Sequence, residues 1–464
     1  MFGTIAIILS LLLLMLLAYR GITVLLLAPL MAALAVLLSG QMGDFLAIFS
    51  GTYMTALANF VLQFLPIFML GALFGRLMAD SGAAMTLSSW IMRRLGARHA
   101  ILTVALATGL LTYGGVSVFV VAFAIYPIAR SLFREADIPK RLLPAVVALG
   151  GMTFTMTAMP GTPSVHNAIP LPYFGTNVFA APGLGLIASA VMFFGGLLWL
   201  HSRSARARAA GEGYGQHAEV EEAAHDGTGR YSQMHVALAL LPLALVVAVN
   251  ALFTYVIFPG VDWSGLIERF PKVNPAKSAG MWSLLIALTI ACVSLIVIRI
   301  GRWTDLKDTV NKGALDFMLP LFNTAAEVGY GAVIASLAGF VIIRDAVLNV
   351  SSNPLISEAV AMNIIAGITG SASGGMSIAL QTLGGDYLRL AQEAGISPEL
   401  LHRVAVIASG CLDSLPHNGA IITLLAICGL THRQSYLNIA MLTIVMPLIA
   451  LVVVIGLGTA FGSF

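Results

Sequence analysis

Two acidic residues lie inside stretches of the chain that are otherwise apolar. Glu327 belongs to the segment NTAAEVGYGAVIASLAGF, which begins at Asn323, and Asp413 lies beside a Pro- and Gly-containing break further along the chain. An ionised acid at the centre of a bilayer costs ~2.5–3.5 kcal/mol on insertion scales, so such residues usually relay protons or serve transport. Glu327 has no basic residue in its own apolar stretch. We therefore expect a proton or a small cation to be its partner, with Asp413 as the second candidate for proton coupling.

An adjacent histidine and asparagine recur at two breaks in the apolar pattern. His166 and Asn167 follow the segment MPGTPSV, and His417 and Asn418 follow DSLP. A neutral imidazole and an amide can both donate a hydrogen bond to a carboxylate, and a histidine can also relay a proton. Together with Thr162, these residues predict the surroundings of a small organic anion. Capping of unwound helix ends is the structural alternative.

Two glycine-rich sequences, TYGGVS from Thr112 and SASGGMS from Ser371, interrupt long apolar stretches. Backbone groups freed at such breaks cannot face lipid, so the breaks must be packed inside protein or line a wet cavity. A helix that starts at such a tip presents free N–H groups and the positive end of its dipole to an anion. We expect an anion-binding site at the two tips, formed by Thr112, Tyr113, Gly114, Gly115, Ser117, Ser371, Ser373, Gly374, Gly375 and Ser377.

The composition of the chain places these residues in a membrane protein. Of its 464 residues, 59% are apolar and only 10% are charged, against roughly 25% charged in a soluble domain. Uncharged stretches such as 21–43, 142–202 and 434–464 reach the ~20 residues that cross a hydrocarbon layer. The net charge of +3 gives no support for nucleic-acid binding. The three cysteines lack ligand spacing, so neither a metal nor another cofactor is expected. The composition predicts an all-α polytopic membrane protein.

The chain divides into two similar halves around a polar linker. GLLTYGGVSVFVVAF from Gly109 resembles GITGSASGGMSIALQTL from Gly367, and PSVHNAI from Pro163 resembles PHNGAI from Pro416. Such a long repeat is typical of secondary transporters. If the linker is cytoplasmic, most of the 24 basic residues lie inside, as the positive-inside rule expects. Arg403 is among the few assigned outside. The halves then cross the membrane in opposite senses, which makes the repeat inverted.

Each half is expected to contribute three spans, a re-entrant hairpin, a broken span and a final span. The hairpins are predicted over 99–133 and over 359–388, the second bounded by Glu358 and Asp386. They should enter from opposite faces of the membrane. The predicted organisation is a first repeat over 1–200, a cytoplasmic linker over 201–235 and a second repeat over 236–464.

Four segments carry a resemblance to a known family. They are FMLGALFGRLMADSGAA from Phe68, NTAAEVGYGAVIASL from Asn323, GSASGGMSIAL from Gly370 and DSLPHNGAIITLL from Asp413. At these segments the chain resembles the gluconate permease (GntP) family of the ion transporter superfamily, especially its 3-hydroxybutyrate permease-like branch. The resemblance implies uptake of a small monocarboxylate with protons across the bacterial inner membrane. It also implies a homodimer in which a scaffold (1–58 and 236–314) holds a transport part (59–200 and 315–464) that slides as an elevator.

The sequence thus predicts a proton-coupled symporter of a small hydroxy-monocarboxylate, 3-hydroxybutyrate- or gluconate-like. A sodium-coupled carboxylate or dicarboxylate transporter stays open, because backbone carbonyls at broken helices also coordinate Na⁺. A passive channel is a further alternative. A membrane enzyme is disfavoured, because the sequence contains no HExxH, GxSxG or phosphate-loop motif.

Overall fold

The structure is a computed structural model that describes residues 2–20, 22–215, 234–416 and 418–464. Within these ranges all regular secondary structure is helical, and no strand is present. The all-α prediction is confirmed for this part of the chain. The predicted site residue His417 and residues 216–233 of the predicted linker lie outside the described residues.

The described part of the first half of the chain contains twelve α-helices. They are α1 (Phe2–Tyr19), α2 (Val24–Leu38), α3 (Phe45–Ala47), α4 (Met54–Asp80), α5 (Ala83–Leu95), α6 (Ala100–Tyr113), α7 (Val118–Glu135), α8 (Leu143–Gly151), α9 (Phe154–Thr157), α10 (Val165–Ala168), α11 (Leu171–Phe174) and α12 (Pro182–Ala209). A π-helical segment, Ile48–Tyr53, leads directly into α4.

The described part of the second half contains another twelve α-helices. They are α13 (Val236–Leu252), α14 (Ser264–Arg269), α15 (Pro275–Ile298), α16 (Leu306–Gly313), α17 (Met318–Ser336), α18 (Phe340–Leu348), α19 (Pro354–Thr369), α20 (Ala372–Glu393), α21 (Pro398–Ser409), α22 (Gly419–Cys428), α23 (His432–Ala440) and α24 (Met446–Phe461). A π-helical segment, Met441–Val445, joins α23 to α24.

Several helical segments are long and apolar enough to cross a membrane. Six continuous segments of the described chain meet this condition, or seven if α5 and α6, which meet at a bend of 97°, count as one span. Many of their leucine and valine side chains are exposed, for example Leu62 at 77%, Leu198 at 74% and Val452 at 70%. Apolar side chains exposed along such helices are suited to lipid contact. The chain is therefore a multi-pass membrane protein.

The main helices of the two halves follow a similar order. Each half has two apolar helices (α1 and α2, or α13 and α15), a third apolar helix (α4 or α17), a short helix (α5 or α18) and a helical hairpin (α6–α7 or α19–α20). The short helices α14 and α16 are additional in the second half. Each half then has an interrupted helix and a long final segment that ends in α12 or α24. α4 packs against α17, and α12 packs against α24. The short helices α5 and α18 had no counterpart in the sequence prediction.

Each predicted hairpin region forms two helices that pack side by side around a short turn. The turn of the first hairpin follows Tyr113, and the turn of the second follows Thr369. Helix α6 has 14 residues, which corresponds to about 21 Å at 1.5 Å per residue. This is less than the ~30 Å thickness of a hydrocarbon layer. Helix α6 is thus too short to cross a bilayer by itself.

The second hairpin extends beyond the limits predicted from its charged residues. Asn353 accepts a hydrogen bond from the Leu355 N–H (3.0 Å), and Pro354 occupies the first turn, so α19 begins there. Helix α20 continues past Asp386 as far as Glu393. The prediction that Glu358 and Asp386 bound the hairpin is therefore wrong. Glu358 lies inside α19, where its side chain is fully buried.

The beginning of the predicted linker continues the helix before it. Helix α12 reaches Ala209, so residues 201–209 are helical. Beyond it, Glu212 accepts hydrogen bonds from Arg141 at 2.6 Å and 2.7 Å. These bonds hold the pKa of Glu212 below its ordinary value. The described beginning of the linker is thus attached to the start of the first broken span.

Glycine allows the first hairpin to pack closely against the first broken span. A Cβ added to Gly150 of α8 would lie 2.7 Å from the Thr108 Cβ and 2.8 Å from the Gly109 nitrogen, both in α6. Membrane helices use small residues in this way, because close backbone approach replaces the hydrophobic driving force that water supplies elsewhere.

We expect Gly150→Ala to destabilise the protein. The added methyl group has no space between α8 and α6, and overpacking of this kind costs about 1–3 kcal/mol. The matched control is Gly71→Ala in α4, where the new methyl group has no neighbour within 4 Å. Melting temperatures of the purified variants in detergent test this prediction. A Gly150→Ala variant that melts no lower than Gly71→Ala would contradict it.

Candidate functional site

The tip of the second hairpin lies against Glu327 of α17. Ser371 caps α20, since its hydroxyl accepts a hydrogen bond from the Gly374 N–H at 3.0 Å. The carboxyl group of Glu327 lies so close to Gly374 that a Cβ on this glycine would overlap Oε2. Glu327 is 3% exposed, and its Oε2 has no hydrogen-bond partner within the described part of the chain. A buried carboxyl group thus lies at the positive end of the α20 dipole.

Further polar groups surround this carboxyl group. The hydroxyl of Ser373 lies 3.4 Å from that of Ser371 and 3.4 Å from that of Thr324. The N–H groups of Ala372 and Ser373 donate no hydrogen bond to a described acceptor. The first turn of α20 therefore offers two free N–H donors beside three hydroxyl groups.

Two other predicted residues of this tip have roles within the hairpin. The hydroxyl of Ser377 donates to the Ser373 carbonyl at 2.7 Å. Gly375 lies where a Cβ would meet the Ala366 Cβ at 2.9 Å. Ser377 therefore completes a hydrogen bond inside α20, and Gly375 lets α20 approach α19.

Asn418 joins the second broken span to this tip. Its Nδ2 donates to the carbonyl oxygens of Gly370 (3.1 Å) and Asp413 (3.0 Å). Its Oδ1 accepts from the first N–H groups of α22. Asp413 is 4% exposed, and its Oδ1 accepts a hydrogen bond from Ser414 at 2.8 Å. Asp413 is therefore partnered in this conformation, whereas the Oε2 of Glu327 is not.

The tip of the first hairpin rests on the first broken span. The Tyr113 hydroxyl donates to the Pro160 carbonyl at 3.0 Å. Gly115 has a φ of +92°, in the left-handed region that favours glycine. A Cβ at this position would lie 3.2 Å from Pro163. The tip conformation therefore requires glycine both for its backbone angle and for its contact with the break.

The remaining predicted residues of the first tip differ in what they contact. The Thr112 hydroxyl donates to the Thr108 carbonyl at 2.9 Å, inside α6. A Cβ on Gly114 would overlap the side chain of Leu243 in α13. Ser117 is exposed, and its hydroxyl makes no capping hydrogen bond at the start of α7. Of these three residues, Ser117 alone presents a free polar side chain.

Asn167 has a structural role. Its Nδ2 donates to the carbonyl oxygens of Thr162 (3.1 Å) and Val178 (2.8 Å). Its Oδ1 lies 3.1 Å from the His402 Nε2 and accepts a weaker bond from Arg403 at 3.4 Å. An amide group has only two N–H donors. Asn167 therefore has no donor left for a substrate in this conformation.

Arg403 fills the space between the two broken spans. It lies in α21, is fully buried, and donates to the Ala180 carbonyl at 2.7 Å and 3.0 Å and to the Thr157 carbonyl at 3.4 Å. Arg403, which is assigned to the outside from the sequence, is thus a buried residue of a helix. The side chain of Thr157 also meets Gly410, so the two spans cross at this point.

The structure thus brings some of the predicted residues together and separates others. Glu327, Ser371, Ser373, Gly374, Asp413 and Asn418 lie at or beside the second tip, and the first tip lies beside the first break. No hydrogen bond between described residues joins one tip to the other. The half-buried ring of His166 makes no hydrogen bond to a described residue.

Two residues of this region were not predicted from the sequence as functional candidates. From the sequence, Arg403 is only one of the basic residues assigned to the outside and His402 has no assigned role, although the apolar stretch VAVIASG follows both directly. That stretch was the available signal, because a cation next to a span must be paired or solvated.

Comparison with known proteins shows the class to which the chain belongs. It is 44% identical to the uncharacterized transporter YxjC of Bacillus subtilis over 452 residues, which cover 95% of this chain and 96% of that protein. The chain belongs to the YxjC transporter family. An uncharacterized transporter of Haemophilus influenzae is 39% identical over 72 residues, or 16% of this chain and 17% of that protein. No protein-family model matches the chain.

Two solved structures share the fold of this YxjC-family transporter. The YdaH transporter of Alcanivorax borkumensis has a TM-score of 0.55 and 17% identity over 90% of both chains. MtrF of Neisseria gonorrhoeae, assigned to a class of antimetabolite efflux pumps, has a TM-score of 0.55 and 12% identity over 90% of this chain and 84% of its own. At these identities the likeness concerns the fold alone. The relatives are transporters, which confirms the prediction of a membrane transporter and not an enzyme.

We expect Asn167→Ala to lower the thermal stability of the transporter. The substitution leaves the Thr162 carbonyl oxygen without its side-chain donor, whereas the Val178 carbonyl keeps the Gly161 N–H as a donor. A buried group left unpaired costs about 1–3 kcal/mol. The control is Asn349→Ala, because Asn349 is exposed and its side chain makes one hydrogen bond, to the Asp345 carbonyl in the adjoining helix α18. Melting curves in detergent provide the measurement. Equal melting temperatures for the two variants would argue against the structural role.

Proposed function

We propose that this transporter takes up a small hydroxy-monocarboxylate, 3-hydroxybutyrate- or gluconate-like, together with protons across a bacterial inner membrane. The observation that carries the proposal is the buried Glu327 carboxyl group against the first turn of α20, with its Oε2 unpartnered in the described part of the chain. The resemblance to the gluconate permease family supports the class of substrate.

The position of Glu327 provides a physical route to coupling. A substrate carboxylate would bind at the free N–H groups of Ala372 and Ser373, where the helix dipole favours an anion. If Glu327 were ionised, two carboxylates would share one helix N-terminus, and juxtaposed like charges cost several kcal/mol. A proton on Glu327 removes this repulsion. Substrate and proton therefore bind together, which is the condition for symport.

Hydroxyl groups near the same helix end fit the rest of such a substrate. Thr324, Ser371 and Ser373 can each donate or accept a hydrogen bond, so they suit a hydroxyl group as well as a carboxylate. From the first tip we assign Ser117, and from the first break His166, because their polar groups have no described partner. Asn418 holds the second tip in place, and Asp413 is the second candidate for proton coupling.

We further propose that the two halves form inverted repeats in an elevator-type transporter. The common order of helices supports a repeat. In this arrangement residues 1–58 and 236–314 form the scaffold of a homodimer, and residues 59–200 and 315–464 carry the substrate site. The packing of α2 on α17 and of α15 on α4 is contact between the two parts.

In the variant Glu327→Gln, we expect substrate binding to become independent of pH. The amide cannot ionise, so the variant mimics the protonated acid at every pH. For the wild type, affinity for 3-hydroxybutyrate should fall as pH rises, by about two orders of magnitude or more if repulsion costs several kcal/mol. The variant should bind independently of pH and exchange substrate across vesicles. It should lose accumulation driven by a pH gradient.

Transport assays in the same vesicles distinguish proton symport from sodium coupling and from a passive channel. Wild-type uptake that follows an imposed Na⁺ gradient without a pH gradient would favour sodium coupling, because an unpartnered carboxylate can also bind Na⁺. Uptake that never exceeds equilibrium would indicate a passive channel. Full pH-driven accumulation by Glu327→Gln would contradict the role of this residue.

Gly374→Ala should also weaken substrate binding, because it moves the Glu327 carboxyl group without changing its chemistry. Because the new methyl group overlaps Oε2, it must displace the Glu327 carboxyl group from the first turn of α20. We expect affinity to fall about tenfold or more, in line with an overpacking cost of about 1–3 kcal/mol. Gly385→Ala in the same helix is the control, since its methyl group has no neighbour within 4 Å. Binding of radiolabelled 3-hydroxybutyrate is the measurement, and equal affinities in the two variants would refute the prediction.

A further inference from the structure

A second buried acid lies far from the tip of the second hairpin. Glu358 is in the second turn of α19 and is 0% exposed. Neither of its carboxyl oxygens has a hydrogen-bond partner within the described residues. The helix rises 1.5 Å per residue, so roughly 17 Å of α19 separate Glu358 from the tip at Thr369. Glu358 is therefore remote from the candidate substrate site.

Basic side chains on the helices around α19 have other partners. Helix α19 packs against α1, α18, α20, α21 and α24. Arg344 of α18 donates to Asp386 of α20 at 2.6 Å and 2.8 Å. Arg389 of α20 pairs with Glu393 at 2.8 Å.

The ionisable groups of α21 have other partners too. Its two buried members, His402 and Arg403, bind Asn167 and groups of the first half. Glu399 accepts a hydrogen bond from the Ser463 hydroxyl at 3.0 Å.

Two further ionisable residues on these helices, Tyr387 and Asp345, donate no hydrogen bond to Glu358. Tyr387 of α20 donates its hydroxyl to the Ser357 carbonyl at 3.2 Å. Asp345 of α18 is an exposed acid. Helix α24 contains no ionisable side chain, and α1 contains none before Tyr19. Within the described chain, Glu358 thus has neither a counter-ion nor a hydrogen-bond donor.

This environment determines the charge of Glu358. Burial of a carboxylate without a counter-ion or donor is strongly unfavourable, whereas a protonated carboxyl group is a neutral polar group that costs far less. In this conformation Glu358 therefore carries a proton. It can ionise when water reaches α19, and ionisation transfers its proton to that water with no other bond made or broken.

We propose that Glu358 is a second proton-binding residue of the transport cycle, in addition to Glu327. The proposal rests on the proton-coupled function put forward above. Its consequence is a transporter that moves more protons per substrate anion than one carboxyl group at the tip could carry. Glu327 binds a proton together with the substrate, whereas Glu358 releases its proton when water reaches the second hairpin.

The test is the ratio of protons to substrate moved across vesicles. Purified protein is reconstituted with a pH-sensitive dye inside, and radiolabelled 3-hydroxybutyrate is the substrate. We expect Glu358→Gln to keep transport while moving one proton fewer per substrate than the wild type. Glu399→Gln is the matched control, because Glu399 is an acid of the neighbouring helix with a hydrogen-bond donor. Its ratio should equal that of the wild type.

A second measurement needs no transport. The infrared spectrum of the wild type should contain the carbonyl stretching band of a protonated carboxyl group that is absent from Glu358→Gln and present in Glu399→Gln. If Glu358→Gln does not fold, Glu358→Asp takes its place. Aspartate shortens the side chain but keeps an acid, so it should retain both the band and the wild-type ratio.

The outcomes separate this inference from the proposed function. A wild type that moves protons with substrate, with the same ratio and the same band in Glu358→Gln, would overturn the role of Glu358 alone. An aspartate variant that folds but lacks the band would overturn that role as well. A wild type that moves 3-hydroxybutyrate without protons would overturn both the coupling and this inference.

Discussion

The structure depends on satisfying backbone groups where helices are interrupted inside a membrane. Water is not there to replace a lost helical hydrogen bond, so each freed carbonyl needs a donor from the protein. At the first break, four side chains donate hydrogen bonds to four carbonyl oxygens between residues 156 and 162. They are Ser164 to Met156, Arg403 to Thr157, Tyr113 to Pro160 and Asn167 to Thr162. The polarity of this region thus follows first from the broken backbone.

The need for hydrogen-bond partners separates buried charges that stabilise the fold from buried groups that can gain or lose a proton. Arg403 is fully buried but donates to several carbonyl oxygens, so its charge is stabilised by the break itself. Glu327 and Glu358 are also buried, yet they have carboxyl oxygens without a partner in the described chain. A satisfied buried cation tends to stay as it is, whereas an unsatisfied buried acid changes its charge when its surroundings change. We therefore propose that Glu327 and Glu358 move protons, whereas Arg403 stabilises the contact between the two broken spans.

The comparisons support the class of protein, whereas the proposed mechanism rests on the geometry of the site. YxjC covers nearly the whole chain at 44% identity, which establishes the family. YdaH and MtrF share the fold at 17% and 12% identity, and a shared fold does not carry a substrate with it. The contact of Glu327 with Gly374 is a feature of this chain, so the proposed coupling depends on it and not on the relatives.

The sequence by itself determined the local features of this protein. Long apolar stretches, the Gly- and Pro-containing breaks and the isolated Glu327 could all be recognised, because apolar length and backbone flexibility are properties of neighbouring residues. Only the tertiary structure decided what each polar side chain contacts. The pairs His166-Asn167 and His417-Asn418 look alike in sequence, yet Asn167 is bound by His402, 235 residues away, whereas Asn418 holds the nearby tip at Gly370. Likewise, the sequence predicts that Glu358 lies at the polar end of a hairpin, whereas in the structure the surrounding helices bury it. Burial and pairing depend on residues that are distant along the chain, and for that reason no local pattern could reveal them.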